Sequence, residues 1–215
     1  MAGGAKARRL PRVVRERQML DAAVRCFARS GYQAASMDEI AELAGASKPL
    51  VYLYLGSKEE LFTTVIRREA GALLGAVAAG VGGVGGAEVP PDERLWAGLL
   101  AFFTYAAEHP DSWVVLNRRA RTHGEPFAGE AARMRDEVVG FVAGLIGEAV
   151  GEADVALGGR DVEALAQALV GSAESLAGWA NETPGVTAKE AAATLMNFAW
   201  AGLGNLMKSE RWSPR

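Results

Sequence analysis

One short segment of the sequence, residues 47–55, carries groups that bind phosphate. It reads Ser-Lys-Pro-Leu-Val-Tyr-Leu-Tyr-Leu, a run that predicts a short helix with proline in its first turn. Val51 and Leu55 lie four residues apart, so both would face a core. The cationic and phenolic residues would then point outward: Lys48, Tyr52 and Tyr54. Because a cation, phenol hydroxyls and the free amides of a helix N-terminus all bind phosphate, we predict contact with a nucleic-acid backbone.

The residues before this segment predict a helix-turn-helix. Ser36 begins a Ser-Met-Asp-Glu capping box, in which Ser36 caps a helix and Glu39 reaches back. That short helix should stop at Gly45, and Ser47 should cap the next one. A longer helix should begin near Pro11 and end at Gly31. Three such helices form a compact head, and the start of the third would enter the major groove. The residues expected to read bases lie at that end: Ser47, Lys48, Pro49 and Leu50.

The charge distribution is compatible with a nucleic-acid partner. Residues 1–68 contain 12 basic and 7 acidic side chains, whereas the other 147 residues contain 11 and 19. A basic end can attract a polyanion although the chain carries a net charge of −3. A solvated charged surface explains the asymmetry equally well. The basic residues of the N-terminal arm could enter a minor groove or form a tail without a specific role: Lys6, Arg8, Arg9 and Arg12.

Motifs for other kinds of chemistry are weak in this sequence. The run Gly80-Val-Gly-Gly-Val-Gly85 has the spacing of a dinucleotide fingerprint, but a predicted helix precedes it where that motif requires a strand. We interpret it as a flexible connector. His109 and His123 have no partners at metal-ligand spacing, and no hydrolase or metalloprotease motif is present. We therefore expect no enzyme, no metal site and no cofactor.

The predicted cellular compartment is the cytoplasm. Cys26 is the single cysteine, so an internal disulfide is excluded and a reducing compartment is expected. The basic first residues are not followed by an apolar run, so no secretory signal is predicted. The uncharged runs 70–87 and 191–207 are rich in alanine and glycine, and we interpret them as buried helices rather than membrane spans.

The rest of the chain predicts an all-α protein with about nine helices. A second capping box begins at Ser57 and should open a helix from Lys58 to about Ala79, and a third begins at Thr187. Glycines 80–86 and the Pro90–Pro91 pair predict a break after that long helix. The later helices are expected at about 92–108, 111–121, 128–150, 161–181 and 188–208.

Residues 17–66 resemble the DNA-binding head of the TetR family of bacterial regulators. The matching positions are Ala22-Ala23, Phe27, Ser30-Gly31-Tyr32, Ser36, Ile40-Ala41, Ala44 to Lys48, Val51 to Leu55 and Ser57 to Leu61. The resemblance implies a DNA-binding domain at residues 1–57, followed by a helical ligand-binding and dimerisation domain at 58–215. It also implies DNA contacts at these residues: Ser36, Ser47, Lys48, Tyr52, Tyr54 and Lys58. Leu53 and Leu55 depart from common aromatic residues, and Pro49 departs from a common glycine. A backbone contact at Leu53 is therefore expected to be missing, and base preference cannot be transferred.

The resemblance also implies a repressor that binds a near-palindromic operator as a homodimer through residues 161–208. It implies a ligand cavity in the second domain, and we expect a small neutral or weakly charged aromatic compound. The candidates for its wall are Trp96, Phe103, Trp113, Asn117, Phe141, Glu174 and Trp179, with Phe102, Tyr105 and Phe127 as further aromatic candidates. Glu174 could instead be a surface carboxylate or pair across the dimer. The alternative function is a helical dimer or adaptor that binds a small molecule but no DNA.

Overall fold

A computed structural model describes residues 11–85, 89–119, 127–152 and 157–207. All regular structure in these ranges is helical, which confirms the all-α prediction. The helices are α1 (Arg12–Ala34), α2 (Met37–Leu43), α3 (Lys48–Leu55), α4 (Lys58–Gly83), α5 (Pro91–Glu108), α6 (Pro110–Val114), α7 (Phe127–Glu152), α8 (Gly159–Glu182) and α9 (Ala188–Met207). A π-helical turn, Val115–Arg119, directly follows α6 and was not predicted. None of the described helices is both long and apolar enough to cross a bilayer.

The head consists of α1, α2, α3 and the first turns of α4. Its core contains Phe27, Ile40, Val51 and Phe62, none of which exposes measurable surface. The helical conformation of α1 breaks at Gly31, where φ is 73°, and a further turn leads to Ala34. A positive φ is accessible to glycine at little cost, so the predicted stop at Gly31 is confirmed.

Two of the three predicted capping boxes form completely. The backbone amide of Ser57 donates to the Glu60 carboxylate over 2.7 Å, and the Glu60 amide donates to the Ser57 hydroxyl over 3.1 Å. Thr187 and Glu190 exchange the same pair of bonds at 2.8 and 3.2 Å. These contacts fix the starts of α4 and α9 where the sequence predicts them.

The caps of α2 and α3 differ from the prediction. The Ser36 hydroxyl accepts the Glu39 amide at 3.0 Å, but the Glu39 carboxylate pairs with Arg29 of α1 instead of reaching back. Ser47 occupies the cap position of α3, yet its hydroxyl accepts no capping hydrogen bond. A charged partner from another helix competes successfully for Glu39, because an ion pair with a guanidinium is stronger than a bond to a neutral amide.

The glycine-rich segment does not break α4 where predicted, because the helix continues to Gly83. Gly80 packs closely on α5, since an added Cβ would lie 2.6 Å from the Cβ of Ala101 and 3.1 Å from the carbonyl oxygen of Ala97. An added Cβ at Gly98 would lie 3.1 Å from Val81. The missing side chains thus let α4 and α5 approach each other, and this packing offsets the low helix propensity of glycine.

The head core continues past residue 57 into the second domain. Phe127, at the start of α7, is 3% exposed, and its ring lies 4.8 Å from that of Phe62 and 4.6 Å from that of Tyr32. Val115 of the π-helical turn is completely buried in the same cluster. The predicted boundary at residue 57 therefore divides the chain in sequence, but the packing joins the head to α4, α7 and the turn.

Candidate DNA-binding surface and ligand cavity

Helix α3 is anchored to the head by two aliphatic residues and exposes its opposite face. Val51 is completely buried and Leu55 is 8% exposed, as the spacing predicts. Tyr52 is 46% exposed and Leu53 is 75% exposed. The exposed residues of α3 are Lys48, Pro49, Tyr52 and Leu53. This face is available to a macromolecular partner along the whole length of the helix.

The ammonium group of Lys48 forms an ion pair within the helix-turn-helix. Its Nζ lies 2.8 Å from Oδ2 of Asp38, at the start of α2, and both side chains are solvent-exposed. The hydrogen bond to Asp38 raises the pKa of Lys48 above its ordinary value, so the lysine is cationic at neutral pH. A phosphate that binds Lys48 must compete with the Asp38 carboxylate.

Two residues predicted to face outward or read bases lie partly in the head core instead. Tyr54 is half-buried against this core, and the guanidinium carbon of Arg12 lies 5.2 Å from its ring centre. Leu50 also packs against the core. The outward orientation expected for Tyr54 is therefore only partial, because α3 lies deeper in the head than its Val51–Leu55 stripe alone indicates. The DNA contacts predicted at Tyr54 and Leu50 stay predictions.

The remaining predicted DNA contacts flank α3. Lys58, at the start of α4, donates to the carbonyl oxygen of Gln33 over 3.1 Å, and its Nζ lies 4.8 Å from the ring centre of Tyr32. Ser36 and Ser47 are exposed at the two helix starts. The basic arm residues Lys6, Arg8 and Arg9 lie outside the described residues.

The body contains an apolar cavity, cavity A, with a volume of about 110 Å³. Its wall is built from α4, α5, α7, α8 and α9 and is mainly aliphatic. The lining residues are Val77, Val81, Pro91, Arg94, Leu95, Gly98, Leu99, Phe102, Val138, Val142, Leu145, Ile146, Ala149, Leu169, Val170, Ala173, Trp200 and Leu203. Arg94 is the one charged residue among them, and its guanidinium is bonded to Glu152 at 2.7 and 2.9 Å. That pairing leaves an aliphatic wall that suits an apolar ligand.

A second cavity, cavity B, has a volume of about 70 Å³ and lies between cavity A and the head. It shares Phe102, Val138 and Val170 with cavity A, so the two are adjacent. The other lining residues are Ala70, Leu73, Trp113, Leu116, Asn117, Ala131, Met134, Arg135 and Glu174. Asn117, Arg135 and Glu174 give cavity B a more polar wall than cavity A has.

Arg135 and Glu174 form the charged part of the wall of cavity B. The Nε of Arg135 donates to Oε2 of Glu174 over 3.2 Å, and a terminal nitrogen donates to Gln167 over 2.6 Å. Both charged side chains are mostly buried, at 26% and 18% exposure. Because Glu174 lines cavity B, its position favours a contact with the ligand over the other two roles considered for it. It forms its ion pair with Arg135 of the same chain.

The predicted ligand residues divide into those at the cavities and those elsewhere. Trp113, Asn117 and Glu174 line cavity B, and Phe102 lines both cavities. The others lie outside: Phe103 and Trp96 pack in the body core, Phe127 packs in the head core, Tyr105 borders a surface groove, and Phe141 lines neither cavity. Trp179 corrects the prediction most clearly, because it is 54% exposed on α8. The aliphatic wall residues were missed, since a leucine or valine of a cavity has the same spacing as one of a solid core.

A polar network joins the head to the body beside these cavities. Glu69 of α4 is 5% exposed and accepts a 2.6 Å hydrogen bond from Arg68, which also reaches Asp21 of α1 at 2.8 Å. Burial, with a smaller contribution from the nearby Glu69 carboxylate, raises the pKa of Tyr105 to about 12. The Tyr105 hydroxyl thus stays protonated at physiological pH. Among the described residues, no group of three or more His, Cys, Asp or Glu side chains could bind a metal ion.

Comparisons with known proteins identify the family of both parts. The head matches the family "Bacterial regulatory proteins, tetR family" over residues 19–65. The body matches the family "Tetracyclin repressor-like, C-terminal domain" over residues 91–202.

Individual relatives extend over nearly the whole chain. The transcriptional activator FasR of Mycolicibacterium smegmatis is 29% identical over 205 residues, covering 95% of this chain and 90% of FasR. A TetR-like regulator from Rhodococcus sp. RHA1 superposes with a TM-score of 0.76 at 38% identity, covering 91% of this chain and 99% of the other. FadR of Bacillus subtilis, solved in complex with stearoyl-CoA, superposes with a TM-score of 0.75 at 18% identity. The match covers 86% of this chain and 98% of FadR. This last likeness concerns the fold.

These matches agree with the helix-turn-helix and the all-helical body described above. The chain belongs to the TetR family and is a DNA-binding transcriptional regulator.

Proposed function

We propose that this regulator is a ligand-responsive repressor, which binds a near-palindromic operator as a homodimer and releases it when an elongated amphipathic ligand occupies the cavities. The observation that carries the proposal is the position of α4. Leu61 and Phe62 of this helix are completely buried in the head core, whereas Leu73 lines cavity B and Val77 lines cavity A. A ligand that displaces the middle of α4 would move the head with it.

The cavity walls favour an aliphatic ligand over the aromatic one expected from the sequence. Phe102 and Trp200 are the aromatic residues of cavity A, and most of its other lining residues are aliphatic. A ligand tail would bind there by burying apolar surface. Its polar end would reach Asn117, Arg135 and Glu174 in cavity B. FadR of Bacillus subtilis is a protein of the same fold that holds stearoyl-CoA, a molecule with a long alkyl chain and a polar group.

The small volume of the cavities supports a switch. Cavity A measures about 110 Å³, whereas pockets for drug-sized ligands measure about 300–1,000 Å³. An elongated ligand would therefore have to move the walls apart. Because Leu116, Ala131 and Met134 contact both cavity B and the head core, such a movement would be transmitted to the head by α7 and the π-helical turn as well as by α4.

For the dimer, we propose an interface formed by α8 and α9, within the predicted range 161–208. Trp179 of α8 is 54% exposed and Phe198 of α9 is 73% exposed, although both are large apolar side chains. Large exposed apolar groups are typical of surfaces that bind another protein. A twofold dimer would place the same two helices of each subunit in contact and hold the two α3 helices at a fixed separation.

Fluorescence anisotropy with labelled DNA from the region flanking its own gene tests this function. We expect a dimer to bind one segment selectively and with an affinity that falls steeply between about 50 and 200 mM salt. Stearoyl-CoA should weaken operator binding by about 5- to 150-fold, and operator DNA should weaken stearoyl-CoA binding by the same factor. Coenzyme A, which lacks the alkyl chain, and tetracycline, a polycyclic compound, should have little effect.

A cavity variant and a matched surface variant make the result specific. Val142→Phe fills cavity A and should abolish the stearoyl-CoA response, whereas Ala132→Phe on the exposed face of α7 should retain it. A reporter driven by the operator-containing promoter should rise when the protein is deleted, as expected for a repressor. Operator binding that is unaffected by any ligand bound in the cavities would contradict the switch. Failure to bind any DNA would favour the alternative function, a ligand-binding adaptor.

A further inference from the structure

The exposed side chain of Leu53 is not explained by the head core or by phosphate binding. It is 75% exposed in a helix whose other leucines are packed or partly packed. Leu53 lies two residues from Val51 and two from Leu55, which corresponds to about 200° around an α-helix in each direction. It therefore points directly away from the two residues that anchor α3 in the core.

The surroundings of Leu53 on α3 are apolar. Pro49 lies four residues earlier on the same exposed face, and the half-exposed Tyr52 is adjacent. A leucine side chain neither donates nor accepts a hydrogen bond, so it adds nothing to phosphate binding. In the major groove, the apolar group that base pairs present is the C5-methyl group of thymine.

We propose that Leu53 determines part of the operator sequence by packing against a thymine methyl group, with Pro49 as its apolar neighbour. This inference rests on the proposed DNA-binding face of α3. In many members of the family an aromatic residue at this position is expected to contact the DNA backbone. The inference assigns to Leu53 a contact with a base instead. It also removes Leu50, which packs on the head core, from the centre of the base-reading surface.

The test removes single methyl groups from the DNA. The full-length protein first selects its operator from randomised duplexes, and each thymine of the selected duplex is then replaced by deoxyuridine, which lacks only the methyl group. We expect one symmetry-related pair of thymines at which each replacement weakens wild-type binding about fourfold, the factor expected for burying one methylene-sized group. Replacing both members of the pair should weaken binding about fifteenfold.

The Leu53→Ala variant identifies the side chain that makes this contact. It should bind the thymine and deoxyuridine duplexes equally and keep the wild-type midpoint of thermal unfolding, because its side chain is exposed. Tyr52→Ala, the matched variant on the same face, should weaken binding to all duplexes and retain the methyl effect.

Two results would overturn the inference while leaving operator binding intact. One is that no thymine replacement affects wild-type binding, and the other is that Leu53→Ala retains the full methyl effect. If the protein binds no duplex at all, the proposed function fails together with the inference.

Discussion

Arg67 of α4 and Glu130 of α7 form a two-point contact, in which Nε donates to Oε1 over 2.6 Å and Nη2 donates to Oε2 over 3.2 Å. The Glu130 side chain is 8% exposed, whereas that of Arg67 is 60% exposed. Arg133 also pairs with Glu130 from within α7. The contact joins the helix that leaves the head to the start of the helix that lines both cavities, so it fixes their relative position.

The first prediction concerns the stability provided by this carboxylate. The hydrogen bond from Arg67 lowers the pKa of Glu130 below the ordinary value of a glutamate side chain. A carboxylate whose pKa is lower in the folded state than in the unfolded state stabilises the fold at pH values above its unfolded-state pKa. This stabilisation is lost as the pH falls through the folded-state pKa. Glu130→Gln should therefore reduce the free energy of unfolding at pH 7 by about 1–3 kcal/mol and flatten its decline below about pH 4.5.

Urea unfolding measured at several pH values checks this first prediction. Glu137→Gln, on the exposed face of the same helix, is the matched control and should change the unfolding free energy by less than about 0.5 kcal/mol. An equal loss in both variants, or a Glu130→Gln variant with the full wild-type acid dependence, would show that the contact with Arg67 contributes no stability.

The second prediction concerns the close packing of α4 on α5. Gly80→Ala would place a Cβ 2.6 Å from that of Ala101, so the two helices would have to separate. We expect a loss of about 1–3 kcal/mol in unfolding free energy. Gly75→Ala on the same helix meets no atom within 4 Å and should instead stabilise by about 0.5–1 kcal/mol. Thermal unfolding of the two variants should therefore give midpoint changes of opposite sign, and a gain in both would refute the close approach.

The third prediction concerns the proposed dimer interface. Phe198→Glu should leave the fold of the monomer intact, because Phe198 is 73% exposed, but should place an unpaired charge in the dimer interface. Leu203 of the same helix lines cavity A and is therefore unsuited to this test. Analytical ultracentrifugation should show a dimer for the wild type and a monomer for the variant.

Operator binding should be lost together with the dimer. Half-sites about 34–36 Å apart require two linked heads. The monomeric variant should therefore bind the operator no more tightly than it binds DNA of unrelated sequence. Val84→Glu, at an exposed position at the end of α4, is the control and should remain dimeric. A wild-type monomer at micromolar concentration would contradict the proposed interface.

The fourth prediction concerns the ion pair between Lys48 and Asp38, whose charged atoms lie 2.8 Å apart. Lys48→Met should weaken binding to all duplexes about equally and reduce the slope of log affinity against log salt by about 1. Asp38→Asn should strengthen binding, because it removes a carboxylate that competes with phosphate for Lys48. Titrations at several salt concentrations decide the point, and an unchanged salt slope in Lys48→Met would exclude the phosphate contact.

The sequence was most informative where structure depends on neighbouring residues. The capping boxes at Ser57 and Thr187 and the break at Gly31 formed as predicted, because each involves groups within a few residues of one another. The box at Ser36 formed only in part, because Arg29, ten residues away from Glu39, took that carboxylate. At Glu39 the local rule failed because a more distant residue offered a stronger partner.

The candidate sites show the same difference between local and long-range contacts. The all-α class, the helix-turn-helix and the exposure of Lys48 and Tyr52 could be predicted from the sequence, since the buried face of a helix follows from a period of 3.6 residues. Long-range packing, which the sequence pattern does not reveal, makes Tyr54 half-buried, leaves Leu53 exposed and places Trp179 on the surface rather than at a cavity. A cavity is the space left between helices that are distant in sequence, so its walls depend on packing that no local pattern records.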